Sequence, residues 1–134
     1  MDEIEILIEA EVNPTEDIEK VKLAIENVFG TVKYEVKKLH RGNLLTAKAK
    51  GTAGLTKFYN LLRRERIRDA ARTVLFEGAN ENSVTFYLNK QVAYAGHISF
   101  CKPSAESPLG PIKVQIKCEK PKELIDWLAP KTTS

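Results

Sequence analysis

The sequence predicts an α+β fold, a two-layer sandwich in which helices pack on a mainly antiparallel sheet. Several segments alternate apolar and polar residues, the pattern of a half-buried strand, whereas others repeat apolar residues every three or four positions, as an amphipathic helix does. The two kinds of segment are mixed along the chain in the order β-α-β-β-α-β-β-β-α. Because 134 residues are enough for one hydrophobic core, we assign residues 1–134 to a single domain.

The first half of the chain contains three predicted strands and one helix. The strands run from Ile4 to Val12, from Val32 to Val36 and from Leu45 to Ala49, and the helix runs from Asn13 to Gly30. Asn13 supplies an N-cap, Pro14 the first helical residue and Glu16 the third, while Gly30 ends the helix. If the first and third strands pair, glutamates of the first face lysines of the third and offset part of their charge.

A long helix is predicted from Leu55 to Glu77, with an interruption inside it. The apolar residues before Leu62 share one face, whereas those from Ile67 onward centre about 110° away from it. The step of five between Leu62 and Ile67 replaces the usual three or four. This pattern predicts a break, kink or π-bulge at Arg63–Arg66 and therefore two helical segments.

The second half of the chain adds three strands and a short helix. The predicted elements are strands from Val84 to Leu88, Ile98 to Phe100 and Ile112 to Cys118, a loop from Asn89 to Gly96, a turn at Pro108–Gly110, and a helix from Pro121 that ends before Pro130.

Charge is distributed unevenly along the chain. Residues 1–30 hold nine acids and two lysines, a net charge of −7, and the remainder carries +10. The predicted long helix contains a basic cluster made of Lys57, Arg63, Arg64, Arg66, Arg68 and Arg72. Five of these six are arginines, whose planar forks of donors suit phosphate groups. The asymmetry favours nucleic acid as a partner, and the alternative is a surface whose acidic and basic parts pair with each other.

Structured RNA, bound without sequence preference, is the predicted partner. The first six elements follow the order of an RNA recognition motif, yet the third strand lacks the aromatic residues on which such a motif stacks bases. Recognition through phosphate groups and shape is therefore expected. The predicted nucleic-acid-binding residues are Arg41, Lys57, Arg63, Arg64, Arg68, Arg72, Lys90 and Gln91. The Gly51–Gly54 segment matches the GxxG of KH domains and is either a phosphate contact or a plain strand-to-helix turn.

The sequence predicts no enzyme, metal or cofactor. His40 and His97 have no local serine, cysteine or carboxylate arrangement typical of a triad or a metal site, and no Walker or GxGxxG motif is present. The N-terminus lacks the pattern of a signal peptide, and no apolar run approaches the ~20 residues of a membrane span. Cys101 and Cys118 are therefore predicted to be free thiols in a reducing cytoplasm.

Three segments together resemble a known family. They are RIRDAAR (Arg66–Arg72), YLNKQVAYAGHISF (Tyr87–Phe100) and ESPLGPI (Glu106–Ile112), and they resemble an archaeal family of uncharacterised proteins to which RNA binding is attributed. The resemblance implies a compact α+β fold similar to a large-subunit ribosomal protein that binds ribosomal RNA. It also implies a homodimer, and it implies neither catalytic activity nor active-site residues. The motif positions in this chain are Asn89, Lys90, Gln91, Gly96, Ser107, Pro108, Gly110 and Pro111.

Three functional hypotheses follow. In the first, a non-enzymatic RNA-binding module contacts phosphate through the arginines of the basic cluster, and Lys90 and Gln91 contact the ligand or belong to a structural loop. In the second, the chain is a protein-interaction or homodimerisation module in which the arginines pair with an acidic patch, such as the first helix of another copy. In the third, an enzyme site lies between Lys90 and Pro111.

Overall fold

Six antiparallel strands form one sheet in the computed structural model, which describes residues 3–103 and 110–131. The strands are β1 (Glu5–Val12), β2 (Lys33–Lys38), β3 (Asn43–Lys50), β4 (Ser83–Asn89), β5 (Phe100–Cys101) and β6 (Pro111–Lys117). Their order across the sheet is β2-β3-β1-β6-β4-β5. The predicted α+β class with an antiparallel sheet is confirmed.

Five α-helices accompany the sheet in the described part of the chain. They are α1 (Ile18–Phe29), α2 (Thr56–Arg64), α3 (Arg68–Glu77), α4 (Lys90–Tyr94) and α5 (Pro121–Leu128), and a short 3-10 turn over Thr52–Leu55 precedes α2. Phe58 of α2 stacks between Phe29 of α1 and Phe86 of β4, with ring centroids 5.5 and 5.3 Å apart. These contacts join the helical layer to one face of the sheet in a single core.

Alternation along β1 determines which face of the sheet is covered. Ile6 and Ile8 point toward the helices and are almost completely buried. Glu5 belongs to the opposite, open face, where it lies between Lys50 of β3 and Lys117 of β6. The pairing of β1 with β3 therefore places one glutamate opposite a lysine, whereas Glu9 and Glu11 lie opposite Thr46 and Leu44.

The predicted break in the long helix is confirmed and separates α2 from α3. The Ile67 amide donates to the Leu62 carbonyl and the Arg66 amide donates to the Arg63 carbonyl, both at 3.2 Å. These two bonds form a Schellman motif, which ends a helix and turns the chain. The turn lets Leu62 and Ile67, whose faces diverge on a continuous helix, both pack against the core.

The first helix starts later than predicted. Its N-cap is Asp17, whose side chain accepts a hydrogen bond from the Glu19 amide, and Asn13 is not the cap. The Glu16 carboxylate instead accepts hydrogen bonds from the Asn13 amide and side chain, at 3.0 and 2.7 Å. These bonds close a separate turn before α1.

The segment between β4 and β6 differs most from the prediction. The predicted loop contains α4, which the Asn89 side chain caps and which packs along α1, where Asn27 donates to its carbonyls. The predicted fifth strand is reduced to the two residues of β5, and Ile98 is buried outside it. The turn predicted at Pro108–Gly110 lies outside the described residues, apart from Gly110 itself.

Candidate nucleic-acid interface

Arg63 holds the C-terminal end of α5. Its guanidinium donates to the Leu128 carbonyl at 3.2 Å and to the Trp127 carbonyl at 3.3 Å. The guanidinium also lies 3.4 Å from the centroid of the Tyr59 ring. Because the last carbonyls of a helix have no partner within the helix, these hydrogen bonds satisfy groups that α5 leaves open.

Arg72 contacts the same end of α5 from α3. Its Nη1 donates to the Ala129 carbonyl at 3.1 Å and lies 2.8 Å from Oδ1 of Asp126. The side chain is 16% exposed, and its guanidinium also lies over the Phe76 ring. Arg63 and Arg72 thus both donate hydrogen bonds to carbonyl oxygens at the end of α5. The sequence pattern did not reveal these contacts.

Three other arginines gather where α2 meets α3, and we call residues 64–68 the basic junction. Arg64 is exposed and makes one hydrogen bond, to the Gly96 carbonyl at 3.2 Å. Arg66 is exposed and Arg68 is half-buried, and neither has a hydrogen bond or an ion pair within the described part of the chain. The basic junction therefore presents guanidinium groups that retain donors for an external anion.

Glu65 anchors the basic junction to the segment that follows α4. Both of its carboxylate oxygens lie within 3.1 Å of His97 Nδ1, and one accepts a hydrogen bond from the Ile98 amide at 3.1 Å. The hydrogen bond with His97 lowers the pKa of the Glu65 carboxyl, burial opposes this change, and the Ile98 amide adds to the lowering. The carboxylate is thus engaged by His97 and Ile98, and the positive charge of Arg64 lowers its pKa further.

Lys57 and Arg41 are two further basic residues that precede the basic junction in the sequence. Lys57 is exposed in the first turn of α2, and its ammonium donates to the Glu26 carbonyl near the end of α1 at 2.9 Å. Arg41 is exposed in the turn between β2 and β3. Lys57, Arg64 and Arg72 each contact a different part of the chain, namely α1, Gly96 and the end of α5.

Lys90 is buried rather than presented to solvent. Its side chain is 4% exposed, and its ammonium donates to the Glu11 carbonyl and to both carboxylate oxygens of Glu16. Burial raises the pKa of Glu16, but hydrogen bonds from Asn13 and Lys90 outweigh burial and the net change is a lowering. The motif lysine is therefore a structural residue, whereas its neighbour Gln91 is exposed.

The Gly51–Gly54 segment has structural reasons for both of its glycines. Gly51 adopts a φ of 75°, in the left-handed region that glycine tolerates best. A Cβ on Gly54 would lie 2.9 Å from Cδ1 of Ile6 and 3.0 Å from Cβ of Ala49. Close packing of the turn against the sheet therefore accounts for this motif as a turn between a strand and a helix.

Side chains of the types that bind metals do not gather at one place in the described ranges. No group of three or more histidine, cysteine or acidic side chains there could hold a metal ion. Cys101 and Cys118 do not form a disulfide with each other, and burial raises the pKa of Cys118. Within residues 3–103 and 110–131, no helix has the length and apolar character needed to cross a bilayer.

The fold and this surface define an α+β protein that carries a basic junction on its helical layer. Comparison with known sequences assigns the chain to a protein family. The model of a protein family described as RNA binding matches residues 5–118, and the chain belongs to this family.

Its relatives are archaeal proteins named UPF0201. One from Sulfurisphaera tokodaii is 48% identical over 127 residues, covering 95% of this chain and 88% of the relative. One from Saccharolobus solfataricus is 43% identical over 129 residues, covering 96% and 89%.

Solved structures share the fold. The crystal structure of a UPF0201 protein from Methanococcus jannaschii superposes with a TM-score of 0.85 at 38% identity, covering 97% of this chain and 96% of that one. A DUF54 protein from Methanothermobacter thermautotrophicus has a TM-score of 0.66 at 23% identity, covering 96% and 99%, and this likeness concerns the fold alone. The family resemblance predicted from the three motif segments is confirmed.

Proposed function

We propose that the protein binds structured RNA and that the basic junction contacts the phosphate backbone. The observation that carries the proposal is the match of residues 5–118 to a family described as RNA binding. The guanidinium of Arg64 is exposed, and that of Arg68 has no hydrogen bond or ion pair among the described residues, so both supply chemistry suited to phosphate. Lys57, Arg41 and Gln91 are exposed and extend the proposed contact surface.

Three of the residues predicted from the sequence have a supporting role in this proposal. Arg63, Arg72 and Lys90 direct their donors to carbonyl and carboxylate oxygens of their own chain. They stabilise the elements that carry the interface and do not contact phosphate themselves.

Phosphate contact rather than base stacking suits the composition of the open sheet face. Tyr87 is the aromatic residue that the described strands place on that face, and it is half-buried. Sequence-specific recognition of RNA generally needs exposed aromatic platforms for unstacked bases. With two to four phosphate contacts, the logarithm of the association constant should fall against the logarithm of salt concentration with a slope of about −2 to −4.

A charge-reversal variant tests the proposal. In Arg64→Glu/Arg68→Glu, repulsion replaces two attractive contacts, so we expect the Kd for a folded RNA hairpin to rise at least ~50-fold at about 100 mM salt. The matched control is Lys37→Glu/Lys48→Glu, which changes the net charge equally but on the open sheet face. Filter binding measures both, and equal losses of affinity in the two variants would contradict a local site.

The second candidate, homodimerisation, is favoured by the free edge of β2. Val36 on this strand is 51% exposed, and an antiparallel pair centred on Val36 places Glu35 opposite Lys37 of a second copy. Sedimentation velocity of Val36→Lys separates the candidates. A dimer that dissociates in this variant, together with no measurable RNA binding by the wild-type protein, would favour the interaction module.

The proposed role is binding without catalysis. The family description names RNA binding. The two buried polar side chains among the described residues, Ser83 and Lys90, both hydrogen-bond within the chain. The catalytic hypothesis for the Lys90–Pro111 region therefore loses Lys90, whose ammonium is buried and bound within the chain, as an accessible group.

A further inference from the structure

Arg66 occupies a backbone position that ordinarily belongs to glycine. Its φ is +57°, and it is the one residue other than glycine with positive φ in the described chain. The five remaining positive-φ positions there are Gly30, Gly42, Gly51, Gly96 and Gly110. Side chains other than glycine are disfavoured in this region because Cβ approaches the backbone.

The end of α1 also has a residue with positive φ, and there the residue is glycine. Gly30 follows α1 with a φ of 78°, and its amide donates to the Glu26 carbonyl at 2.8 Å. At the end of α2, Arg66 stands at the position of the Schellman motif that takes a positive φ and where glycine is preferred. An arginine at this position keeps a backbone cost that glycine would remove.

No hydrogen bond or ion pair of the Arg66 side chain within the described chain offsets this backbone cost. Arg66 is exposed and has neither a hydrogen bond nor an ion pair among the described residues. The packing that accompanies the motif comes from Ile67 and Leu62, which a glycine at position 66 would leave in place. The side chain of Arg66 therefore contributes nothing to the fold that explains its presence.

We propose that Arg66 is a principal phosphate contact of the basic junction, held outward by its left-handed backbone between Arg64 and Arg68. This inference rests on the proposed RNA-binding function and adds a residue to it. The neighbouring residues reinforce the geometry, because Glu65 is bound to His97 and Ile98 and Arg64 to Gly96. The backbone on which Arg66 stands is thus anchored on its N-terminal side, and its guanidinium is presented to a phosphodiester of folded RNA.

The variant Arg66→Gly separates binding from folding. Glycine accepts a φ of +57° without strain, so we expect the Tm not to fall and to rise by up to about 5 °C. Loss of one phosphate contact should raise the Kd for a folded RNA hairpin about tenfold and make the salt slope about one unit less negative. Arg66→Lys, which keeps the charge, should retain the salt slope.

The matched control is Lys37→Ala, which removes one positive charge from the open sheet face and should change the Kd less than twofold. The inference is overturned if Arg66→Gly binds RNA with the wild-type Kd and slope while Arg64→Glu/Arg68→Glu does not bind. It is also overturned if Arg66→Gly lowers the Tm by several degrees, because the arginine would then stabilise the fold. Absence of RNA binding by the wild-type protein would instead refute the proposed function itself.

Discussion

Burial separates residues that look equivalent in the sequence. Lys90 and Gln91 are adjacent motif residues and both were predicted to contact nucleic acid, yet the first is 4% exposed and the second is exposed. The ammonium of Lys90 donates to the Glu11 carbonyl and to Glu16, which lies 74 residues earlier in the chain. A partner so distant in sequence leaves no local signal, so only the tertiary structure identifies this lysine as structural.

Replacement of Lys90 tests its structural role. In Lys90→Met the Glu16 carboxylate loses its charged partner in a largely buried site and keeps only the hydrogen bonds from Asn13, so we expect the free energy of unfolding to fall by about 2–4 kcal/mol. Urea denaturation measures this change, and Glu16→Gln/Lys90→Met should recover part of the loss. A stable Lys90→Met variant that no longer binds RNA would contradict the assignment and return Lys90 to the interface.

At the scale of elements, the end of α5 explains why the basic cluster divides. The C-terminal carbonyls of a helix attract cations, and Arg63 and Arg72 meet them from α2 and α3. The break between α2 and α3 was predictable, because apolar periodicity shifts within a single segment. Which arginines turn toward α5 was not predictable, because α5 lies more than fifty residues further along the chain.

Removal of Arg72 should destabilise the contact between α3 and α5. Arg72→Ala loses the hydrogen bond to Ala129 and the partly exposed ion pair with Asp126, and we expect the free energy of unfolding to fall by about 1–2 kcal/mol. The variant should keep the wild-type salt slope of RNA binding. Thermal denaturation together with filter binding checks both effects, and a shallower slope would mean that Arg72 also contacts phosphate.

At the scale of the whole molecule, charge is sorted by the fold rather than by position in the sequence. The acidic first strand lies between β3 and β6, so its glutamates face lysines on the open sheet face. The remaining chain has an excess of positive charge. At the basic junction the neighbouring acid, Glu65, is bound to His97. This sorting makes the helical side the better candidate for a polyanion.

The stability of the whole domain should depend on pH on the acid side. The pKa values of Glu16 and Glu65 are lowered from 4.5 in the folded state. Their contribution is therefore complete above about pH 4.5 and is lost as the pH falls through the folded-state values. Urea denaturation between pH 3 and pH 7 should show this decline. Glu16→Gln/Glu65→Gln should flatten it, and an unchanged profile in that variant would contradict the assignment.

The sequence by itself determined the fold class, the strands outside the segment between β4 and β6, the helix break and the family, because apolar periodicity and motif segments are local properties of the chain. Only the tertiary structure decided which of the basic residues face solvent. That decision depends on carbonyls and carboxylates supplied by distant segments, as Ala129 is for Arg72 and Glu16 is for Lys90. The left-handed backbone of Arg66 became visible in the same way, since a turn's dihedral angle arises from the packing of the two helices that it joins.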